Sequence, residues 1–312
     1  MTDVQWAVFA AAAVALVWVI MVNLRERKRA EKAIPVRAPN TQEPQITKVL
    51  PAQSDAPLPT ELVDAIATMR WVTPISVYRV LQQIRGWRRV GTKPLAFGWL
   101  TAGELVTEPQ GETVDELHVG LLLATRSGPV HAMEFSEWQN TLGQISGALG
   151  AQLEVPPMTV VLARARALDQ QCAAVDAQLS LCVSVDEVLT MPGIQSAAEH
   201  LGLEPRGESR FVALDATTGQ PRFTVFPGDT GTTLIFLLDV PRTEAPVLAF
   251  QDMRQAADSL AQFLLGRITD EAGRALSAED LQMIEEQVSE RSEKLQALGF
   301  APGSVIAQRL FL

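Results

Sequence analysis

Residues 233–240 read Thr-Leu-Ile-Phe-Leu-Leu-Asp-Val, a run of strand length with no glycine or proline. Alternation puts Leu234, Phe236, Leu238 and Val240 on one face and Ile235, Leu237 and Asp239 on the other. Both faces are apolar over most of their length. A strand packed on one side and wet on the other should alternate apolar with polar residues, so the second face is expected to meet something too. The cover is either another part of the chain or a partner.

Outward from this strand the pattern stays regular. Residues 178–185, QLSLCVSV, place Leu181, Val183 and Val185 on one face and Ser180, Cys182 and Ser184 on the other, as a half-covered strand does. A helical stretch at 187–203 precedes two strands, at 209–215 and 222–226, joined by the turn-forming Ala216–Pro221. A long helix over 246–266 carries Phe250, Met253, Ala257, Leu260 and Leu264 at i, i+3, i+4 spacing, which makes one buried stripe. A last helix starts behind Ser277, whose hydroxyl suits an N-cap, and runs through Leu281, Ile284 and Val288.

The same order recurs roughly 115 residues earlier. LHVGLLLA (117–124) matches TLIFLLDV, and Phe135, Trp138, Leu142, Ile145 and Leu149 match the helical stripe. LAFGWL (95–100) corresponds to RFVALD (210–215), the amphipathic stretch 76–87 to the helix at 187–203, and 159–175 to the last helix. The expected fold class is α+β: two split-βαβ lobes with antiparallel sheets, arranged as an internal duplication. The first lobe is assigned to 67–176 and the second to 177–312. The tail SVIAQRLFL (304–312) reads as strand-like and is expected to complete a sheet.

The amino terminus predicts an address. From Trp6 to Val22 the chain is apolar and uncharged, and with Val4 and Leu24 it is long enough to cross a bilayer. Arg25, Arg27, Lys28, Arg29, Lys32 and Arg37 come directly after it, and only Asp3 precedes the run. A secretory signal wants the opposite order, whereas a basic flank on this side places the body of the chain in the cytoplasm. Residues 1–24 are therefore expected to be a single-pass membrane anchor, with the amino terminus outside and the body of the chain in the cytoplasm. Residues 25–66, basic and then rich in proline, are expected to form a flexible tether. The whole chain carries a formal charge of −10 although its first 37 residues are basic, so the body is acidic. A phosphate backbone would repel it, which excludes general nucleic-acid binding.

Catalytic patterns are missing. His118, His131 and His200 stand apart, with no metal-ligand spacing. Cys172 and Cys182 form no CxxC and read as small apolar side chains. The sequence holds no GxxxxGK[ST] and no GxSxG, and Gly228–Thr233 precedes a strand, as a turn does. Glu285 and Glu286 lie on an expected solvated helix face. No cofactor, metal or small-molecule substrate is expected, and an enzyme has no residues to rest on.

A binding surface remains. Val212 and Phe226, on strands beside TLIFLLDV, can share its second apolar face, with Arg210, Arg222 and Thr224 beside them. That makes either an apolar groove with a basic rim or the seat of the first lobe. Here AQLSLCVSVDEVL (177–189), PRFTVFPGDTGTTLIFLLDVPR (221–242), FQDMRQAADSLAQFL (250–264) and Ser277–Asp280 resemble the ZipA family. Its members are bacterial membrane tethers of FtsZ, the tubulin homologue of cell division. The resemblance covers 177–298 and the amino-terminal anchor. It implies a six-stranded antiparallel sheet with three helices whose open face binds the C-terminal peptide of FtsZ. By position, the groove is Cys182, Val212, Thr224, Phe226, Ile235 and Leu237. The implied function is to hold the Z ring at the inner membrane, at the division site, with a periplasmic amino terminus. The alternative is an anchored adaptor of the same fold for another divisome or envelope protein. This chain departs from the family in its short linker, in the added first lobe, and in continuing past the last helix.

Overall fold

The alternating and amphipathic segments assemble as two sheets, each covered on one face by helices. The computed structural model describes residues 57–312, apart from 102, 110 and 208. They lie in one compact unit, Gln53–Leu312. The anchor at 1–24 and most of the tether lie outside the described residues. Among the described residues, no helix is long and apolar enough to cross a membrane.

The first lobe comprises β1 (Asp64–Ser76), α1 (Val77–Ile84), β2 (Arg89–Val90), β3 (Lys93–Thr101), β4 (Glu104–Val106), β5 (Thr113–Leu122), β6 (Ala124–Thr125), β7 (Gly128–Pro129), α2 (Ala132–Leu149), β8 (Gln152–Glu154) and α3 (Met158–Val175). Its sheet runs β2-β3-β5-β1-β8, with β4 also on β3, while β6 and β7 pair separately. The second lobe comprises β9 (Gln178–Ser184), α4 (Met191–His200), β10 (Glu204–Pro205), β11 (Phe211–Leu214), β12 (Pro221–Pro227), β13 (Thr233–Asp239), α5 (Pro246–Phe263), β14 (Arg267–Thr269), α6 (Ala278–Ala297) and α7 (Val305–Leu310). Its sheet runs β10-β11-β12-β13-β9-β14. Each lobe thus has a central strand pair, β5 with β1 and β13 with β9, paired antiparallel. Each also has a late edge strand, β8 or β14, beside the first strand.

The stripes read from sequence face inward. Phe135, Trp138, Leu142, Ile145 and Leu149 are buried on α2, as are Phe250, Met253, Ala257 and Leu260 on α5. Ser277 caps α6 through the Asp280 amide, and the Asp280 carboxylate answers the Ser277 amide, closing a capping box. The apolar core is continuous across both lobes, from Val63 to Phe311, and encloses itself within this unit.

Four expectations need correction. Matched position by position, LHVGLLLA would put Leu117, Val119 and Leu121 where Thr233, Ile235 and Leu237 stand. Leu117, Val119 and Leu121 are fully buried, whereas Ile235 and Leu237 are half-buried on the opposite face. The match slips by one residue, and a one-residue slip exchanges the faces of a strand. LAFGWL lies in β3, beside β5, so its counterpart is β12 rather than RFVALD. The tail 304–312 is not a strand: Ser304 caps α7 by accepting from the Ala307 amide. Buried Ala307, Leu310 and Phe311 keep helical spacing. The sheet also starts at Asp64, inside the stretch assigned to the tether.

The carboxyl-terminal helix and one arginine join the lobes. Arg309 on α7 meets the fully buried Asp64 at the head of β1, with Nη1 donating to Oδ2 at 3.0 Å and Nη2 to Oδ1. Arg126, after β6, donates to both oxygens of Asp176 and of Asp239 and to the Phe311 carbonyl, and its guanidinium stands 5.6 Å from the Phe311 ring centroid. Burial pulls its pKa down, but the bonds to Asp239 and Asp176 outweigh this and hold it above the ordinary arginine value.

Candidate functional site: the open face of the second sheet

Strand register brings the expected groove residues together in two cross-strand rows. Ile235 on β13 lies between Cys182 on β9 and Phe226 on β12. Leu237, two residues on, lies between Ser180 and Thr224, and Thr224 in turn faces Val212 on β11. All six therefore share the face away from the helices, because neighbours across a sheet point the same way. The inner face takes the complementary set, with Leu181, Val183, Leu234, Phe236, Leu238, Phe223 and Val225 buried.

The six do not contribute equally. Thr224, Phe226, Ile235 and Leu237 are half-buried and form the accessible surface, whereas Cys182 and Val212 are each only 3% exposed and form its floor. Cys182 is covered because β14, not foreseen from the sequence, places Thr269 opposite it. The Ser184 and Thr269 hydroxyls are 2.8 Å apart, and Ser180 Oγ donates to Glu271. Burial first, then the charges of Glu271 and Asp270, push the Cys182 thiol up to about 12, so it is a packing group rather than a nucleophile.

Of the two arginines expected on the rim, one belongs to the groove. The Arg210 guanidinium stands 5.0 Å from the Phe226 ring centroid, a cation–π contact that leaves its charge at the edge of the apolar rows. Arg222 is instead bound by Asp215 and Asp252. Its hydrogen bonds, followed by those from the Thr218 and Thr217 amides, hold the Asp215 carboxyl well below the usual carboxylate range. Toward the end of the strands the face turns polar. A cleft of about 650 Å³ opens there, lined by Thr224 and Leu237 together with Gln178, Arg206, Arg242 and Gln308. The first lobe reaches this end through Arg126, at Asp239, one row beyond Leu237.

The corresponding face of the first lobe is built differently. Gly120 on β5 lies between Ile66 and Ala96, and Gly98 on β3 faces His118. The buried Pro59 fills the space over both glycines: a Cβ on Gly120 would come within 2.7 Å of Pro59 Cβ, and one on Gly98 within 3.2 Å of Pro59 Cδ. The chain thus covers its own first sheet where the second sheet presents Ile235 and Phe226. Sequence reading missed this because Pro59 was assigned to the tether. The available signal was glycine inside a strand, which marks close approach of another backbone.

The remaining polar candidates have local duties. The His131 side chain caps α2 in a box with Glu134, His118 lies 3.3 Å from Glu116, and His200 stacks on Phe263. Glu285 bonds Gln251 on α5. The segment 228–233 is a turn, closed by the Gly228 amide on the Thr233 carbonyl. Among the described residues, no group of His, Cys, Asp and Glu is placed to hold a metal ion.

No curated protein matches the chain. Residues 177–287, from β9 into α6, match the family model "ZipA, C-terminal FtsZ-binding domain". That family is one of protein-binding domains, and the match agrees with a surface that presents apolar rows. The second lobe is thus similar to a domain that binds FtsZ in cell division, over 111 of the 312 residues.

Proposed function

We propose that this chain is a membrane-anchored tether that grips the C-terminal peptide of FtsZ in the apolar rows of the second sheet and so holds the Z ring at the inner membrane. The observation that carries the reading is the register of β9, β12 and β13, which lines up Phe226, Ile235 and Leu237 on a half-exposed face inside the segment matched by the family. Apolar side chains exposed together on a sheet face favour an apolar peptide segment, and burying one such anchor commonly contributes about 2 kcal/mol or more. Cys182 and Val212 shape the floor, Thr224 offers a hydroxyl, and Arg210 supplies a cation at the edge. Residues 1–24 supply the anchor and the basic run from Arg25 to Arg37 keeps the body on the cytoplasmic side. Proteins 53–312 carrying Phe226→Ala or Leu237→Ala should bind a labelled FtsZ C-terminal peptide at least tenfold more weakly, with unchanged thermal unfolding. Native affinity in both variants would remove this site.

A further inference from the structure

From Ala65 to Gly103 the chain holds six basic residues, Arg70, Arg79, Arg85, Arg88, Arg89 and Lys93, and no Asp or Glu, although the whole chain carries −10. Two of the six are committed to partners within the chain, Arg70 at the surface and Lys93 in the interior. Arg70 pairs with Glu116 and Glu154, and Lys93 is buried against Thr125, Ser127 and Gly128. The other four are exposed, and among the described residues none of them forms an ion pair. Arg79 lies on α1, Arg85 at its end, Arg88 in the segment that follows and Arg89 at the start of β2. Val77, Val80 and Ile84 turn the buried side of α1 inward, so Arg79, Arg85 and Tyr78 project the other way, with Leu81 on the flank. Tyr78 is 68% exposed and Leu81 43%.

A short helix that buries one stripe and shows Arg79, with Arg85 at its end, beside an exposed tyrosine and leucine has basic and apolar groups of the kind an interfacial, lipid-facing surface uses. The arginine stems can lie along apolar surface while their heads reach phosphate. We propose that α1 and the segment after it as far as the first residue of β2, through Arg79, Arg85, Arg88, Arg89, Tyr78 and Leu81, dock the first lobe on an anionic phospholipid bilayer. Screening over about 10 Å removes the more distant acidic surface from the balance, while the exposed Glu112, whose carbonyl accepts from the Val77 amide at the start of α1, stays beside it against four arginines. A nucleic acid is the weaker occupant. It would offer phosphate to the arginines but nothing to Leu81, and would wrap close to the acidic surface. The docking is independent of the peptide groove, which belongs to the other lobe.

The test is flotation of residues 53–312, the unit that encloses its own core, with phosphatidylglycerol–phosphatidylcholine vesicles against pure phosphatidylcholine vesicles. The native protein should float with the anionic vesicles only, and lose them as salt is raised. Arg79→Glu with Arg85→Glu should weaken binding on the order of tenfold or more, since each basic group at an anionic surface contributes severalfold. Leu81→Ser should weaken it with the charge unchanged. Both variants should retain thermal unfolding and FtsZ-peptide affinity, which separates lost docking from lost fold. No flotation of the native protein, equal flotation of the charge-reversed variant, or equally tight binding to duplex DNA at matched phosphate would overturn the proposal.

Discussion

At the residue scale, the most consequential pair is Arg309–Asp64, because it ties the last helix to the first strand inside the protein. Asp64 is fully buried and also accepts from the Thr60 amide. Removing one member of such a pair strands the other, at about 3–5 kcal/mol, whereas an apolar replacement of both is far milder. Arg309→Met should therefore lower stability by about that amount in denaturant unfolding, and adding Asp64→Leu should recover part of the loss. The two cysteines illustrate the opposite case. Burial pushes both thiols up to about 12, so at pH 7–8 almost no thiolate is present in the folded protein. Cys172 and Cys182 should resist alkylation in the native state and react readily once it is unfolded. Rapid native labelling of either would contradict the packing described.

At the element scale, long periodic segments were legible and short or ambiguous ones were not. The alternation in QLSLCVSV and TLIFLLDV placed β9 and β13 with their correct faces, and the stripe from Phe250 to Leu260 placed α5. Because both faces of β13 are apolar, the candidate groove could be read from Ile235 and Leu237 before any geometry. What failed has physical causes. β14 has three residues, too few for a period to register, yet it is what buries Cys182. In SVIAQRLFL the helical spacing of Ala307, Leu310 and Phe311 competed with a run of β-compatible side chains, and the Ser304 cap decided it. Pro59 belonged to a proline-rich stretch by composition but to the first sheet by packing. Gly120→Val should therefore displace residues 57–60 from the sheet. The expected signs are faster hydrogen exchange before β1 and a loss of about 1–3 kcal/mol, the usual range for overpacking. Unchanged exchange would mean that Pro59 does not cover that face.

For the whole molecule, the two lobes share strand order but use their open faces differently. The first sheet is narrowed by Gly98 and Gly120 and covered by the chain itself, whereas the second presents Phe226, Ile235 and Leu237. A continuous core, Arg126 and α7 bind the lobes together, so a protein ending at residue 303 should lose stability in both and melt at lower temperature in a single transition. The aromatic residues supply a built-in test of where a partner lands. Trp71, Trp87, Trp99 and Trp138 all lie in the first lobe, and the two other tryptophans, Trp6 and Trp18, precede residue 53. The measurement that tests the central claim most directly is titration of native 53–312 with a labelled FtsZ C-terminal peptide, recording anisotropy and tryptophan emission together. The account predicts saturable binding with emission nearly unchanged, because the groove holds no tryptophan. Saturable binding with a large change in emission would place the peptide on the first lobe, and no binding at high micromolar peptide would contradict the account outright.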